Sequence, residues 1–388
     1  MFPKVNDHRN VIRGSSASVE PSHPTVMKLL LFLSDISASE AFVSCNPIDG
    51  PVIGKLMDWL RTGSVELTKC ACLMLGNSAR SNELCEAMLS TPSSIPEAQS
   101  IPQHLSNIVE QNHDRTLTHA ALGLTGNLSQ PVANKNHFGD FGLVEKICSV
   151  ISVRVITHDV NIAGLRALRL LVRDSWGNTE RLFSRTRADM MSNLIDENKN
   201  GPDEITSSEY RTNFSVIVRQ LWNTEDFQVL VEVGRLIIAV LRNIHSLQIS
   251  QEQSKRVFML VLQEDITAKY LSYLLQQEKM KHVRSEALFG AALLCRSKEG
   301  ALYFSQTLDD ALVKVLEDVV EGTSSATDVD TRDNYDSDNT MVLVSELLKF
   351  QVSLSILSLA AHVNFVKGYR YRSKQRTVSS PKAHLGAT

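Results

Sequence analysis

The chain has 388 residues, of which 43% are hydrophobic, 21% charged and only 6% aromatic, a globular balance whose core must be mostly Leu, Val, Ile and Ala. Lys and Arg number 40 against 43 Asp and Glu, a formal net charge of -3, so bulk charge does not fit the whole chain to nucleic acid. Composition excludes collagen, a disulfide scaffold and a fully disordered chain, and no uninterrupted apolar run has the length needed to cross a bilayer.

Residues 1–24, with mixed charge, Ser and Pro, read as a disordered arm. A helix is expected over Thr25–Phe42. Its Met27–Leu33 stretch has the look of a signal-peptide core, but it starts well inside the chain and Asp35 follows at once, which favours a helix over a cleaved leader. Cys45–Pro51 holds two prolines and a glycine and is expected to break the chain. From Val52 onward the pattern is helical almost throughout, and alternating β-branched runs with Asn-Gly turns are nearly absent.

Five segments resemble one another. They are Leu67–Asn77, Leu117–Leu128, Ile162–Arg173, Arg235–Ile244 and Val283–Leu294, with Val352–Ala361 a degenerate sixth. In the first three a small Ala precedes a polar residue by six positions: Ala71 and Asn77, Ala121 and Asn127, Ala167 and Arg173. Second apolar helices follow several of them, as in Gly142–Ile151 and Asp310–Val319. The spacing is 50 residues from Asn77 to Asn127 and 46 from Asn127 to Arg173. A period of that size predicts an all-α, armadillo/HEAT-type right-handed superhelical solenoid. One helix pair cannot hide its apolar stripe, whereas stacked neighbours join their stripes into a continuous core. The solenoid is expected over 25–366, with polar inserts near 196–212 and 321–340 and a basic disordered tail at 367–388. The acidic run Glu317–Asp338 and that tail read as solvated segments.

Each Ala allows close helix approach, and the polar residue six positions on lies to one side of the seam. Repeated, it makes a polar stripe. Two roles for the stripe stay open: lining a groove that contacts a partner, or bonding to backbone near helix ends.

Local chemistry is sparse. Gly50-Pro-Val-Ile-Gly54-Lys55-Leu56 has three residues rather than four between its glycines and Leu56 where a phosphate loop needs Ser or Thr. No His-Glu-x-x-His, Gly-x-Ser-x-Gly or Gly-x-Gly-x-x-Gly occurs. Cys70 and Cys72, two apart on a helix, face different ways, and no metal site is expected. His119 is expected to pack against a neighbouring helix. The cysteines read as buried free thiols in a reducing compartment, and the expected location is the cytosol. Protein binding is therefore expected rather than catalysis.

One cluster is more specific. His119-Ala-Ala-Leu122 is followed by Asn127-Leu-Ser129, Pro131-Val132, Asn134-Lys135 and then Gly142-Leu-Val-Glu145. This resembles the armadillo-type small-GTPase GDP-dissociation stimulators, the SmgGDS family. Glu232–Asn243 and Val283–Leu288 resemble later repeats of such proteins. The resemblance covers roughly Val52–Val320 and implies binding of Rho- and Ras-type GTPases with a basic, prenylated C-terminus. It implies that bound GDP is loosened, that the lipid is shielded, and that no metal or cofactor is used. Asn77, Asn127, Asn134, Lys135, Arg173 and Asn243 would then line the GTPase-binding groove. The family's members carry more repeats. The alternative is an armadillo adaptor holding an extended peptide. Nuclear-import adaptors place Trp four residues before each groove Asn, where this chain has Leu73, Gly123 and Ala239. A strongly basic groove, which a catenin-like scaffold needs, is not evident from the sequence.

Overall fold

The computed structural model describes residues 24–90, 100–111, 114–152, 158–186, 211–277, 279–307, 339, 342–347 and 349–350. The expected arm before Pro24, most of the insert at 196–212, the acidic run before Asn339, the second helix at Asp310–Val319, the sixth segment Val352–Ala361 and the tail at 367–388 lie outside these residues.

The chain begins with α1 (Pro24–Ser37), α2 (Glu40–Cys45), α3 (Pro51–Leu60) and α4 (Val65–Ser78). It continues through α5 (Asn82–Ser90), α6 (Ile101–Gln111), α7 (Arg115–Leu128), α8 (Val132–Asp140), α9 (Leu143–Ile151) and α10 (His158–Val172). Then come α11 (Trp176–Leu182), α12 (Asn213–Leu221), α13 (Phe227–Ser246), α14 (Gln251–Leu262), α15 (Thr267–Leu275), α16 (Lys281–Leu294) and α17 (Lys298–Ser305). No strand occurs among the described residues; an isolated bridge joins Arg185 to Thr212.

Short polar side chains set the helix starts. Ser64, Asp114, Ser175, Thr212, Asp226, Ser250 and Ser297 each accept a hydrogen bond from a backbone N–H in the first turn that follows, meeting donors that have no partner within the helix. Ser39 does more. Its hydroxyl donates to the Ile36 carbonyl and accepts from the Phe42 N–H. It thereby closes α1 and opens α2, and the single helix expected over Thr25–Phe42 is two. Gly50 precedes Pro51 at the start of α3, so the segment that distantly resembles a phosphate loop is a helix entry.

The helices stack in repeats of three. In each, the third helix packs against the third helix of the next: α1 on α4, α4 on α7, α7 on α10, α10 on α13 and α13 on α16. We call this row the ladder. All five self-similar segments fall on ladder helices. A second row, α3, α6, α9, α12 and α15, packs beneath its own ladder helix, and α5, α8 and α11 form an outer row. One continuous apolar core runs from Leu30 to Leu347. Ala71, Ala121, Ala167 and Ala287 are completely buried where ladder helices meet, the close approach their small side chains permit.

Candidate partner-docking face

The expected groove residues turn out to join repeats. The Asn77 amide donates to the Ser34 carbonyl at 3.2 Å and the Ser37 hydroxyl at 3.0 Å, tying α4 to α1. The Asn127 amide donates to the Gly76 carbonyl at 2.8 Å, tying α7 to α4. Asn134, buried on α8, donates to Cys85 at 3.0 Å and Leu128 at 2.9 Å. Asn243, fully buried on α13, donates to the Val172 carbonyl at 2.7 Å and the Thr179 hydroxyl at 2.8 Å. Its carbonyl oxygen accepts from the Asp174 N–H at 3.0 Å. Asp174 is a non-glycine residue in the left-handed region, with φ 60°, so Asn243 holds a backbone conformation that costs free energy.

Lys135 is fully buried. Its ammonium donates to the carbonyls of Leu170, at 2.7 Å, and Arg173 at the end of α10. Burial lowers its pKa from 10.5 to about 8, with the Arg173 charge adding to the effect and Asp174 opposing it. These contacts correct the groove expectation for Asn134, Lys135 and Asn243, whose polar atoms are buried and bonded within the protein. Of the two roles open for the stripe, these bonds are the backbone role: apart from the Cys85 carbonyl within α5, the backbone acceptors are carbonyls left free at helix ends.

Sequence reasoning missed Asn178. It stands third in α11 as Asn134 stands third in α8, and donates to the Lys135 and Leu171 carbonyls at 3.0 Å each. The signal was the 44-residue interval between the two. His119, expected to pack against a neighbour, is exposed on α7.

Arg173, just past α10, is the expected charged residue whose side chain remains partly exposed, although its Nε is buried. It belongs to a row. Arg166, Arg169 and Arg173 follow the i, i+3, i+7 spacing of one helix face on and just after α10, and Arg235 and Arg242 repeat it at i, i+7 on α13. Glu232, with its side chain only 3% exposed, sits among them. It accepts from Arg166 Nε at 3.4 Å, Arg169 Nε at 3.1 Å and Arg235 Nη1 at 2.9 Å. Arg235 Nε reaches Glu286 of α16 at 2.6 Å. Farther along, Asp174 lies 3.7 Å from Arg173 and 3.9 Å from Arg242. Five arginines therefore share three carboxylates across α10, α13 and α16. The basic face that the sequence did not make evident is present, hidden by a near-neutral total. Toward the other end, Lys69 Nζ donates to Thr116 at 3.1 Å and Arg115 pairs with Asp159 at 3.0 Å, bridging α4, α7 and α10.

A separate cleft of about 570 Å³ opens beside α12, with Asn161, Arg211, Ser215 and Arg219 in its lining. Arg219 is engaged by Glu264 at 2.6 Å. Among the described residues no group of three or more His, Cys, Asp or Glu is placed to hold a metal, and no helix is long and apolar enough to cross a membrane.

No family model matches the chain, and no curated protein matches it. Solved structures do. A designed armadillo repeat protein aligns over 76% of this chain and 99% of its own at 11% identity, with a TM-score of 0.51. The fold is an all-α armadillo-type solenoid. A second designed armadillo repeat protein, in complex with the peptide (KR)4, aligns over 76% of this chain and 98% of its own at 11% identity and a TM-score of 0.49. An engineered protein covers 70% of this chain and 94% of its own at 15% identity and a TM-score of 0.49. Identities this low speak to fold alone.

Proposed function

We propose that this protein binds another protein along its ladder face and carries out no bond-making chemistry of its own. The observation that carries the reading is the uninterrupted ladder, six helices set side by side, five of them alike in sequence, and studded in its second half with arginine. Such an array offers an extended polar surface that no single repeat can provide.

The resemblance at His119–Glu145 supports a finer proposal. The partner is a small GTPase of the Rho or Ras type with a basic, prenylated C-terminus, and binding stimulates its GDP release. Exchange of this kind needs only differential affinity for the nucleotide-free and nucleotide-bound conformers. Since the Asn and Lys side chains first expected in the groove are committed to holding repeats together, the exposed ladder residues are the ones that make contact. The arginine row repels a basic tail. Glu317–Asp338, with eight acids against one Arg, has the sign such a tail requires.

The test is GDP release from a panel of Rho- and Ras-type GTPases, each with and without its basic prenylated tail, with complex formation measured in parallel. Acceleration that depends on the tail is expected. If every GTPase is neither bound nor discharged, the GTPase assignment is wrong. The second reading, a passive adaptor, is favoured by the arginine row, and binding without exchange would select it.

A further inference from the structure

The arginine row has a sign and a spacing, and together these define an occupant. Around Glu232 stand Arg166, Arg169 and Arg235, with Glu286 at the edge, which leaves one positive charge in excess. Around Asp174 stand Arg173 and Arg242, again one in excess. Arg235 and Arg242 are seven residues apart on α13, so the two centres lie about 10 Å apart along the helix axes.

Arg235 gives Nε and Nη2 to Glu286 and Nη1 to Glu232 and so anchors the row, whereas the other arginines are held but not used up. Arg166 and Arg169 give Nε to Glu232. Their terminal nitrogens, the paired donors that match a carboxylate, take no part in those bonds. The side chains of Arg166 and Arg242 are 56% and 52% exposed. Glu232 is buried and so acts on the row from beneath: it fixes three guanidiniums that would otherwise splay apart, and it is itself shut off from a ligand. A row of fixed, partly desolvated arginines, four of them paired through Nε alone, is a pre-organised receptor for carboxylates.

Resting on the reading that the ladder face binds protein, we propose that the face formed by Arg166, Arg169, Arg173, Arg235 and Arg242 docks an extended acidic segment of a partner protein, its Asp and Glu side chains meeting the two centres. A chain in the extended polyproline II form advances about 3.1 Å per residue with about three residues per turn, so carboxylates three positions apart lie on one side about 9 Å apart and match the separation of the two centres.

The probe is a labelled peptide of about eight residues with Glu at every third position and Ser between, titrated against the full chain. Its affinity should fall steeply with added salt. Arg166→Ala with Arg242→Ala, both exposed and each in one ion pair, should weaken it by about tenfold or more with the melting temperature kept. Glu286→Gln removes the half-exposed carboxylate of the row and should tighten it by about threefold, a gain that a merely structural role does not produce. Preference for the matching Lys-Ser peptide overturns the charge assignment and leaves the wider protein-binding reading standing. Failure of the Glu peptide to bind, or binding indifferent to all three substitutions, also overturns the proposal. So does tighter binding of a single-stranded RNA of the same length, since that marks the row as a phosphate track. GDP release is scored separately, so the GTPase reading can fail while this one holds.

Discussion

At the scale of single residues, polar side chains that recur with the repeat have two possible employers, the scaffold and the partner, and the sequence shows only the recurrence. Asn127 and Asn134 stand in the same local pattern that a groove residue would have; what settles their role is a carbonyl from another repeat, Gly76 in one case and Cys85 in the other. That long-range acceptor is invisible in a linear chain. Lys135 is the sharper case. A charged residue beside Asn134 reads as surface, yet it is fully enclosed and closes the end of α10 through two carbonyls. Lys135→Met keeps most of the stem and removes the donors, and should cost about 1–3 kcal/mol at neutral pH by leaving those carbonyls unpartnered. The pH dependence has a definite sign. The folded-state pKa is lowered to about 8 from 10.5, so between those values the folded protein gives up the proton first and is stabilised as pH rises. The neutral amine still has two N–H bonds for its two acceptors. Denaturant titrations from pH 7 to pH 10.5 should therefore show the stability difference between wild type and the Met variant growing with pH. A difference that shrinks or stays flat would mean that the ammonium is as comfortable folded as unfolded.

At the scale of elements, type was legible and boundaries were not. Helix periodicity and the Ala positions marked all five ladder segments, because a buried helix face needs both. The single helix expected over Thr25–Phe42 failed at Ser39, where one hydroxyl serves the end of one helix and the start of the next; apolar spacing runs straight across such a joint. α1 also shows what periodicity conceals in a ladder helix that has one ladder neighbour among the described residues. Leu30 is buried against α4, whereas its neighbours Leu29 and Phe32 are 53% and 60% exposed. Every later ladder helix through α13 is packed on both sides, while α1 meets a ladder neighbour on one side among the described residues. Leu30→Ala should accordingly cost about 2–4 kcal/mol, while Leu29→Gln combined with Phe32→Ser should stay within about 0.5 kcal/mol of wild type. Thermal melts of the two variants decide it. Equal losses would show that the outer side of α1 is covered.

At the scale of the whole molecule, the repeat period announced the architecture, but the total charge of -3 masked the row that gives one stretch of it character. Averaging over 388 residues cancels five arginines that stacking gathers from two helices. Their i, i+3, i+7 spacing was present in the sequence; what was absent was the knowledge that α13 lies beside α10. The same neighbour-to-neighbour construction governs how damage spreads. Glu232 links α10, α13 and, through Arg235, α16. Glu232→Gln removes the charge that offsets three guanidiniums, and with those heads partly solvated the cost should be about 1–3 kcal/mol. In a stacked array each layer is stabilised by the layers it touches, so the loss should stay near its origin. Hydrogen exchange should quicken at the amides of α10 and α13 and leave those of α4 close to wild type. Uniform acceleration along the ladder would mean instead that the repeats open together as one cooperative unit, and a face on α10 and α13 could not be altered by a partner without moving the whole stack.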